Sequence, residues 1–418
     1  MRPSLSNRPF LRFWSAGLSF QLAMWSLHVA MLIHVFELTG SPFATGLIPV
    51  FASLPGILFG PVAGVLVDRW DRRRVMATSS LVIAGLLLAA LPLAVMGEVR
   101  PALLFAIIFI QAIAMAFFSP AENAVLPRLV GEGQLRTANS LNALNDTLGR
   151  IVGATVGTLV LIQFGFAAIL VACALLYLTA TGLLIGVRVP AAAGQSMISS
   201  VEQRVRSLRG VVGPVWRELA DGLRVVRGNR LLLLSVTAFG LFMLADVPLS
   251  AVLPAFLIDS VGAGPEGMGL SFLLRGVAGL LGGLLVAAIS HRVDETRLLA
   301  GGLLLYGLGV TVMGLSDSFG LVLLMLIPIG PASAAIQTGL FTLLQKGSAD
   351  AVRGRVFGLV GMANGIITLG ASLAGGSLGE VTGARTVVIL SGCLHILPLL
   401  LVLAWLRPAA TRRIPQRA

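Results

Sequence analysis

Charged residues are scarce in this sequence. Asp, Glu, Lys and Arg together make up 11% of the 418 residues, whereas hydrophobic residues make up 56%. Soluble domains carry about a quarter charged residues, so an ordinary soluble enzyme is excluded. The mean hydropathy is +0.94, and the apolar runs reach the roughly 20 residues that a helix needs to cross a bilayer. The chain is therefore predicted to be an all-α membrane protein embedded in the lipid bilayer.

Residues and motifs for common catalytic chemistry are also missing. The two cysteines, Cys173 and Cys393, lie inside apolar runs, so neither a disulfide framework nor a metal site is predicted. The sequence contains no phosphate-binding GxxxxGK[ST], no HExxH and no CxxC motif. The net charge of +12 comes from arginines that form no patch with interleaved aromatic residues. We expect no enzymatic activity, no cofactor, no metal and no nucleic-acid partner.

Hydrophobicity predicts twelve membrane-spanning helices arranged as two pseudo-symmetric six-helix bundles, residues 1–187 and 231–406. Residues 188–230 are predicted to form a linker with an amphipathic interfacial helix, and 407–418 a basic tail. The predicted spans are about 13–36, 43–67, 75–96, 101–121, 138–162, 165–187, 231–258, 267–290, 297–316, 319–342, 355–378 and 385–406.

The basic residues follow this topology. All but four of the 30 Lys and Arg residues fall in the N-terminus, every second loop and the C-terminal tail; the exceptions are Arg100, Arg150, Arg275 and Arg385. Positive residues collect on the cytoplasmic side of membrane proteins. Both termini are therefore predicted to be cytoplasmic, in a multi-pass protein of the cell (inner) membrane.

The two halves of the sequence are related. Asp71 and Arg74 recur 223 residues later as Asp294 and Arg297, and several glycines recur at the same offset. Such a repeat predicts a duplicated six-helix unit. In transporters built from repeats, the substrate site lies between the halves near the bilayer midplane.

A short charged turn interrupts apolar sequence between the second and third spans. This signature loop, Gly60–Met76, reads GPVAGVLVDRWDRRRVM, and by itself it also fits a membrane-boundary loop with interfacial arginines. It resembles the loop 2–3 signature of the major facilitator superfamily, in which a glycine precedes Asp-Arg and a basic cluster. The resemblance covers essentially the whole chain and implies a cytoplasmic gate. The implied gate residues are Gly60, Gly64, Asp68, Arg69, Asp71, Arg72, Arg73 and Arg74.

Three further stretches are similar to one bacterial efflux branch of that superfamily, which contains macrolide efflux proteins and enterobactin-type siderophore exporters. These stretches are residues 120–127, 134–142 and 351–357. The sequence departs from the family pattern at Ala287 and His291, which replace the signature glycine and aspartate in the second half. It also carries Ala154 in place of the antiporter proline, and the fourth span lacks the arginine common in proton-coupled drug antiporters.

Ionisable residues inside membrane spans are costly and are therefore candidates for function. Asp146 and Arg150 are four residues apart on one helix face and can pair, either as a structural pair near the cytoplasmic entrance or as a gating element. Glycines at four-residue spacing in the same span predict close helix packing. The predicted gate residues of the fifth and eleventh spans are Asp146, Arg150, Gly153, Gly157, Arg353 and Arg355.

By family resemblance, the first, fourth, seventh and tenth spans line a cavity. The implied cavity and coupling candidates, with Arg275 added from the eighth span, are Gln21, Trp25, His28, Gln111, Met115, Asp246, Arg275 and Gln337. A lone histidine in a helix, such as His28, is more often a packing residue than a proton carrier. Asp246 is the better candidate for a proton carrier, and it is also a plausible partner for Arg275.

These observations favour a secondary active transporter, a monomer that uses protons to export an amphipathic small molecule such as a drug, antibiotic or siderophore. Two alternatives remain open. One is an uptake transporter or a lysolipid or lipid flippase of the same fold. The other is a membrane receptor or scaffold that binds without transporting.

Overall fold

The structure is a computed structural model that describes residues 8–130, 134–187, 222–348 and 350–411. Within these ranges it is helical, without β-strands. Most of the predicted linker and its interfacial helix lie outside the described residues, as does the end of the tail. The main helices are α1 Arg8–Thr39, α2 Pro42–Arg69, α3 Arg72–Met96, α4 Pro101–Leu129, α5 Leu135–Leu148, α6 Ala154–Ile185, α7 Arg230–Ala255, α8 Gly264–Ile289, α9 Glu295–Leu315, α10 Phe319–Gly347, α11 Asp350–Thr382, α12 Ala384–Leu394 and α13 Ile396–Thr411.

Eleven of the described helical segments are long and apolar enough to cross a membrane. One of them, Thr137–Ile185, has 49 residues and would measure roughly 70 Å if straight, more than twice the hydrocarbon thickness. It is broken at Gly165, whose φ of 80° and ψ of 177° are not helical. The break falls between the predicted fifth and sixth spans, so the segment holds both of them. The prediction of an all-α membrane fold with twelve spans is confirmed.

The chain divides into two compact units, residues 1–207 with 265–273 and residues 208–264 with 274–418. In the first unit α6 packs against α1 and α3, and α3 packs against α4. In the second unit α12 packs against α7 and α9, and α9 packs against α10. The same pairs of helices, six positions apart in order, thus meet in each unit, as a duplicated six-helix bundle requires.

The predicted fourth and twelfth spans differ most from the observed helices. α4 continues to Leu129, eight residues beyond the predicted end at 121, although the helix contains Pro120 and Pro127. The predicted end was wrong because prolines and a charge can occur inside a helix that is packed against its neighbours. The twelfth span is divided at His395, which separates α12 from α13.

The tightest helix contact in the first unit runs between α1 and the segment that joins α5 to α6. That segment, Gly149–Gly153, is a π-helical turn. A Cβ at Gly153 would lie 2.7 Å from the carbonyl oxygen of Leu22, and one at Gly157 would lie 2.6 Å from the Cα of Ser26. Only a glycine face permits backbones to approach this closely, so the packing predicted from the glycine spacing is confirmed.

This contact predicts that Gly157→Ala lowers the stability of the protein. The added Cβ must push α1 away or distort it, and overpacking of this kind costs about 1–3 kcal/mol. Thermal unfolding in detergent should show the loss. Gly182→Ala is the matched control, because a Cβ at position 182 meets nothing within 4 Å among the described residues. Equal melting temperatures for the two variants would contradict the close contact.

Candidate functional site

Each unit contains a cluster of polar side chains on its apolar helices. The first polar cluster consists of Trp25 and His28 of α1, Asp146 of α5 and Arg150 of the π-helical turn. Arg150 Nη2 lies 2.5 Å from Asp146 Oδ2, and Trp25 Nε1 donates to Asp146 Oδ1 at 3.1 Å. The guanidinium carbon of Arg150 lies 5.0 Å from the centre of the Trp25 ring. The predicted pairing of Asp146 with Arg150 is confirmed, and Trp25 joins it.

The π-helical turn places these groups where they meet. A wide turn leaves backbone carbonyls without their usual helical donor, and Ser26 Oγ donates to the carbonyl of Gly153 at 2.7 Å. Side chains of Asp146 and Arg150 keep 41% and 51% of their surface exposed. Much of the surface of this pair is thus not covered by the described residues, which leaves the pair in reach of a solute.

The second polar cluster consists of Asp246 of α7, Arg275 of α8, Tyr306 of α9 and His395 between α12 and α13. Tyr306 Oη donates to Asp246 Oδ1 at 2.5 Å, and the His395 ring centre lies 4.9 Å from that of Tyr306. The charge of Arg275 interacts with Asp246 and Tyr306. Arg275 and Asp246, predicted as partners, form no ion pair among the described side chains, and Tyr306 supplies the hydrogen bond that holds the carboxylate.

His395 is buried at this cluster. Its Nδ1 lies 2.6 Å from the carbonyl oxygen of Ser391, so that nitrogen carries a proton and donates. Its Nε2 is buried and has no hydrogen-bond partner among the described residues. A buried imidazole nitrogen with a free lone pair can accept a hydrogen bond, so His395 leaves one unused acceptor in the second polar cluster.

A neutral polar pair lies deeper in the first unit. Gln111 Nε2 of α4 donates to Tyr177 Oη of α6 at 2.9 Å, and both side chains are buried. Phe20 stacks on Phe118 with ring centres 3.9 Å apart and meets Tyr177 edge to face. Gln111, predicted to face a cavity, thus serves as a packed hydrogen-bond donor in this structure.

The other cavity candidates are dispersed. Gln21 is buried and packs its backbone against Gly149, while its Oε1 has no hydrogen-bond partner in the described part of the chain. Met115 is half-buried on α4, and Gln337 is exposed on α10. The structure does not bring these three residues together with either polar cluster by a hydrogen bond between described side chains.

The signature loop is held by local contacts. Asp71 caps α3 by accepting from the backbone N–H groups of Arg73 and Arg74, and Asp294 caps α9 in the same way. Arg73 Nη1 donates to the carbonyls of Ile185 and Val187 at 3.2 and 3.1 Å. Asp71 and Asp294, which occupy matching positions in the two halves, thus both cap the N-terminus of the following helix.

The remaining gate predictions are not tested by contacts. A Cβ at Gly60 would meet nothing within 4 Å among the described residues, so local packing does not explain that glycine. Arg72 is half-buried. The side chains at five predicted gate positions lie outside the described residues: Gly64, Asp68, Arg69, Arg353 and Arg355.

Sequence reasoning missed several residues that the structure brings into these sites: Glu122, Asn142, Asn145, Tyr177, Tyr306 and His395. Tyr306 and Asp246 are 60 residues apart, so no helical spacing connects them. Glu122 was visible as a carboxylate beside the fourth span. It was left outside the span because the predicted helix ended one residue earlier. The described side chains contain no group of three or more His, Cys, Asp or Glu residues that could hold a metal ion.

Two six-helix units with charged groups on membrane helices define a multi-pass membrane transporter rather than an enzyme. The chain belongs to the Major Facilitator Superfamily, whose profile matches residues 13–366 and 241–418. The nucleoside transporter NupG has the same fold, with a TM-score of 0.72 at 16% identity over 96% of this chain and 99% of that one.

Relatives by sequence confirm the resemblance to a bacterial efflux branch. The chain is 27% identical to macrolide efflux protein A of Streptococcus pyogenes over 84% of each chain. It is 28% identical to multidrug efflux pump Tap of Mycolicibacterium fortuitum over 82% of each chain. The chain is therefore similar to efflux transporters along most of its length.

The two tyrosine hydrogen bonds predict different stability losses. Tyr306→Phe removes a bond to a carboxylate, worth about 1.5–3 kcal/mol, whereas Tyr177→Phe removes a bond to a neutral amide, worth about 1 kcal/mol. Thermal or denaturant unfolding of the two variants in detergent measures the difference. Equal losses would contradict a stronger hydrogen bond at Asp246.

Proposed function

We propose that this chain is a proton-coupled exporter that moves an amphipathic organic compound out of the cell by alternating access. Its similarity to a macrolide efflux protein and to a multidrug efflux pump supports export of such compounds. The proposed cargo class includes drugs, antibiotics and siderophores. The binding partners would be a small molecule of this class, as the transported cargo, and protons, as the coupling ion.

The second polar cluster carries the proposal of proton coupling. Asp246 accepts a hydrogen bond from Tyr306 and interacts electrostatically with Arg275. A proton on Asp246 would cancel its attraction to Arg275 and weaken the tyrosine bond, because charged acceptors form the stronger bonds. Proton binding would therefore loosen three helices, α7, α8 and α9, at one point. A change of this kind links a proton to a change of conformation.

The first polar cluster is proposed to contact the cargo. Trp25 offers a large aromatic surface, and the half-exposed Asp146 offers a carboxylate beside it. Arg150 already occupies the face of the Trp25 ring. An amphipathic compound would have to compete with Arg150 for both groups, which gives Arg150 a role in selecting or releasing cargo.

The topology proposed from the arginine distribution places both termini in the cytoplasm of a cell with an inner membrane. The bundles 1–187 and 231–406 would act as the two moving halves, joined by the linker 188–230, in a monomer. In this orientation the signature loop, with Asp71 and Arg73 at its centre, faces the cytoplasm.

We expect Asp246→Asn to abolish gradient-driven transport and to preserve exchange of cargo across the membrane. Asparagine keeps the size of the side chain and can still accept from Tyr306, but it cannot bind and release a proton. Inside-out vesicles with an imposed pH gradient, to which a panel of amphipathic compounds is added on the outside, provide the measurement.

Asp317→Asn is the matched control. Asp317 pairs with Arg385 in the same unit, but 88% of its side chain is exposed. Driven transport at the normal rate in Asp246→Asn would reject the coupling role. A lack of gradient-dependent accumulation of every compound by the unmodified protein would reject the exporter itself.

The signature loop gives a second transport prediction. A carboxylate near a helix N-terminus is favoured by about 0.3–1 kcal/mol, and Asp68 is proposed to make such a contact with the start of α11 when the cytoplasmic side is closed. Asp68→Asn should then slow transport while cargo binding is largely kept, as measured by initial rates and by equilibrium binding.

Asp71→Asn is the control for this prediction. It also removes a charge from the loop, but asparagine caps a helix as well as aspartate does, so α3 stays capped. Similar slowing by both variants would assign the effect to the net charge of the loop. Unchanged transport by Asp68→Asn would leave the loop as an ordinary basic boundary.

A further inference from the structure

A buried carboxylate in the first unit has no part in the sites described so far. Glu122 lies on α4, and only 7% of its surface is exposed. A Cβ at Gly17 of α1 would lie 2.8 Å from Glu122 Oε1 and also 2.8 Å from Asn145 Nδ2. The side chain of Asn142 is hydrogen-bonded to Glu122. We call Gly17, Glu122, Asn142 and Asn145 the Glu122 site.

The Glu122 site contains no positive charge among the described side chains. The one electrostatic partner of Glu122 there is the neutral amide of Asn142. The charged groups on the elements around it are engaged elsewhere, exposed or not described. Arg12 and Arg73 donate to carbonyls at the end of α6, and two ion pairs, Asp71 with Arg74 and Asp146 with Arg150, engage four more charged groups. Arg8 and Arg128 are exposed, and Arg72 is half-buried with contacts of its own. The side chains of Asp68, Arg69 and Arg136 lie outside the described residues.

The same site has hydrogen-bond acceptors without donors. The side-chain oxygens Asn142 Oδ1 and Asn145 Oδ1 are buried and unpartnered among the described residues, while Asn145 Nδ2 donates to the carbonyl of Trp14 at 3.1 Å. A buried acceptor without a donor is unfavourable, and so is a buried charge without a counter-charge. One added proton removes the charge and supplies one O–H donor, which can serve one of the two amide oxygens.

From this geometry we infer that Glu122 is a proton-binding carboxyl that is neutral while α1, α4 and α5 are packed as in this structure. The proton comes from water and adds to the carboxylate to form the carboxylic acid, and the reverse step returns it to water. This inference rests on the proposed function only for its consequence, that the proton bound here takes part in transport.

The position of the Glu122 site connects it to the first polar cluster. Asn142 and Asn145 lie on the same helix as Asp146, one turn before it and next to it. Ionised Glu122 needs water, and water can reach it only if α5 or α1 moves away from α4. Release of the proton therefore accompanies a displacement of α5, which carries Asp146, or of α1, which carries Trp25, so the charge state of Glu122 and the cargo contact change together.

Infrared spectroscopy of the full chain in lipid nanodiscs tests the protonation state without any cargo. A protonated carboxyl has a C=O stretching band that shifts in heavy water. We expect the difference between the unmodified protein and Glu122→Gln to contain this band at neutral pH. The difference for Glu98→Gln, an exposed glutamate, should lack it. Absence of the band from the Glu122 difference would overturn the inference.

Two additions keep this test decisive. Loss of the band on replacing choline chloride by sodium chloride at constant pH would mean that the oxygens of the site hold a metal ion, and would also overturn the inference. Asn142→Leu keeps the carboxyl and removes its hydrogen-bond partner, so the band should remain and move in frequency. This variant provides the assignment if Glu122→Gln does not fold, and an unmoved band in it would place the carboxyl elsewhere.

Transport assays test the consequence separately. In inside-out vesicles Glu122→Gln should lose gradient-driven accumulation and keep exchange, while Glu122→Asp should restore part of the driven transport and alter its pH profile. Normal driven transport in Glu122→Gln would overturn the coupling role. If the unmodified protein shows no driven transport, the proposed function fails, and the infrared band alone decides whether Glu122 binds a proton.

Discussion

The close approach of α1 to the glycine face of α5 and α6 is the constraint on which the first unit depends. Gly153 and Gly157 bring the backbone of Leu22 and Ser26 into contact distance. The same approach brings Trp25 to Asp146 and Gly17 to Glu122. With a bulkier residue at these glycines, neither the first polar cluster nor the Glu122 site could form at its present distances. Small residues at this interface therefore serve chemistry as well as packing.

The sequence predicted what local spacing encodes. The twelve spans followed from runs of apolar residues, the pairing of Asp146 with Arg150 from four-residue spacing, and the close packing from glycines at the same spacing. The hydrogen bond between Tyr306 and Asp246 could not be predicted, because it joins different helices and nothing in one helix indicates the face of another. Glu122 was missed for a different reason. The prolines at 120 and 127 indicated that the fourth span ends before Glu122, but the helix continues through both of them.

The two units share their scaffold but not their polar groups. Asp71 and Asp294 cap corresponding helices, and the same pairs of helices pack together in each unit. The first unit, however, joins tryptophan to a half-exposed ion pair, whereas the second joins tyrosine and histidine to a carboxylate. Duplication preserved the contacts that build a bundle, while the residues on its polar faces diverged.

The π-helical turn at Gly149–Gly153 contains one residue more than an α-helix would use for the same turns. Each residue of an α-helix turns it by about 100°. The faces of α5 and α6 are therefore offset by that angle relative to a continuous helix, and the orientation of Asp146 toward α1 depends on this offset. Ser26 of α1 donates to the carbonyl of Gly153 at this turn. The direction in which the ion pair points is thus set by a local irregularity of the backbone, and a single-residue deletion there would rotate the pair away without altering any of its side chains.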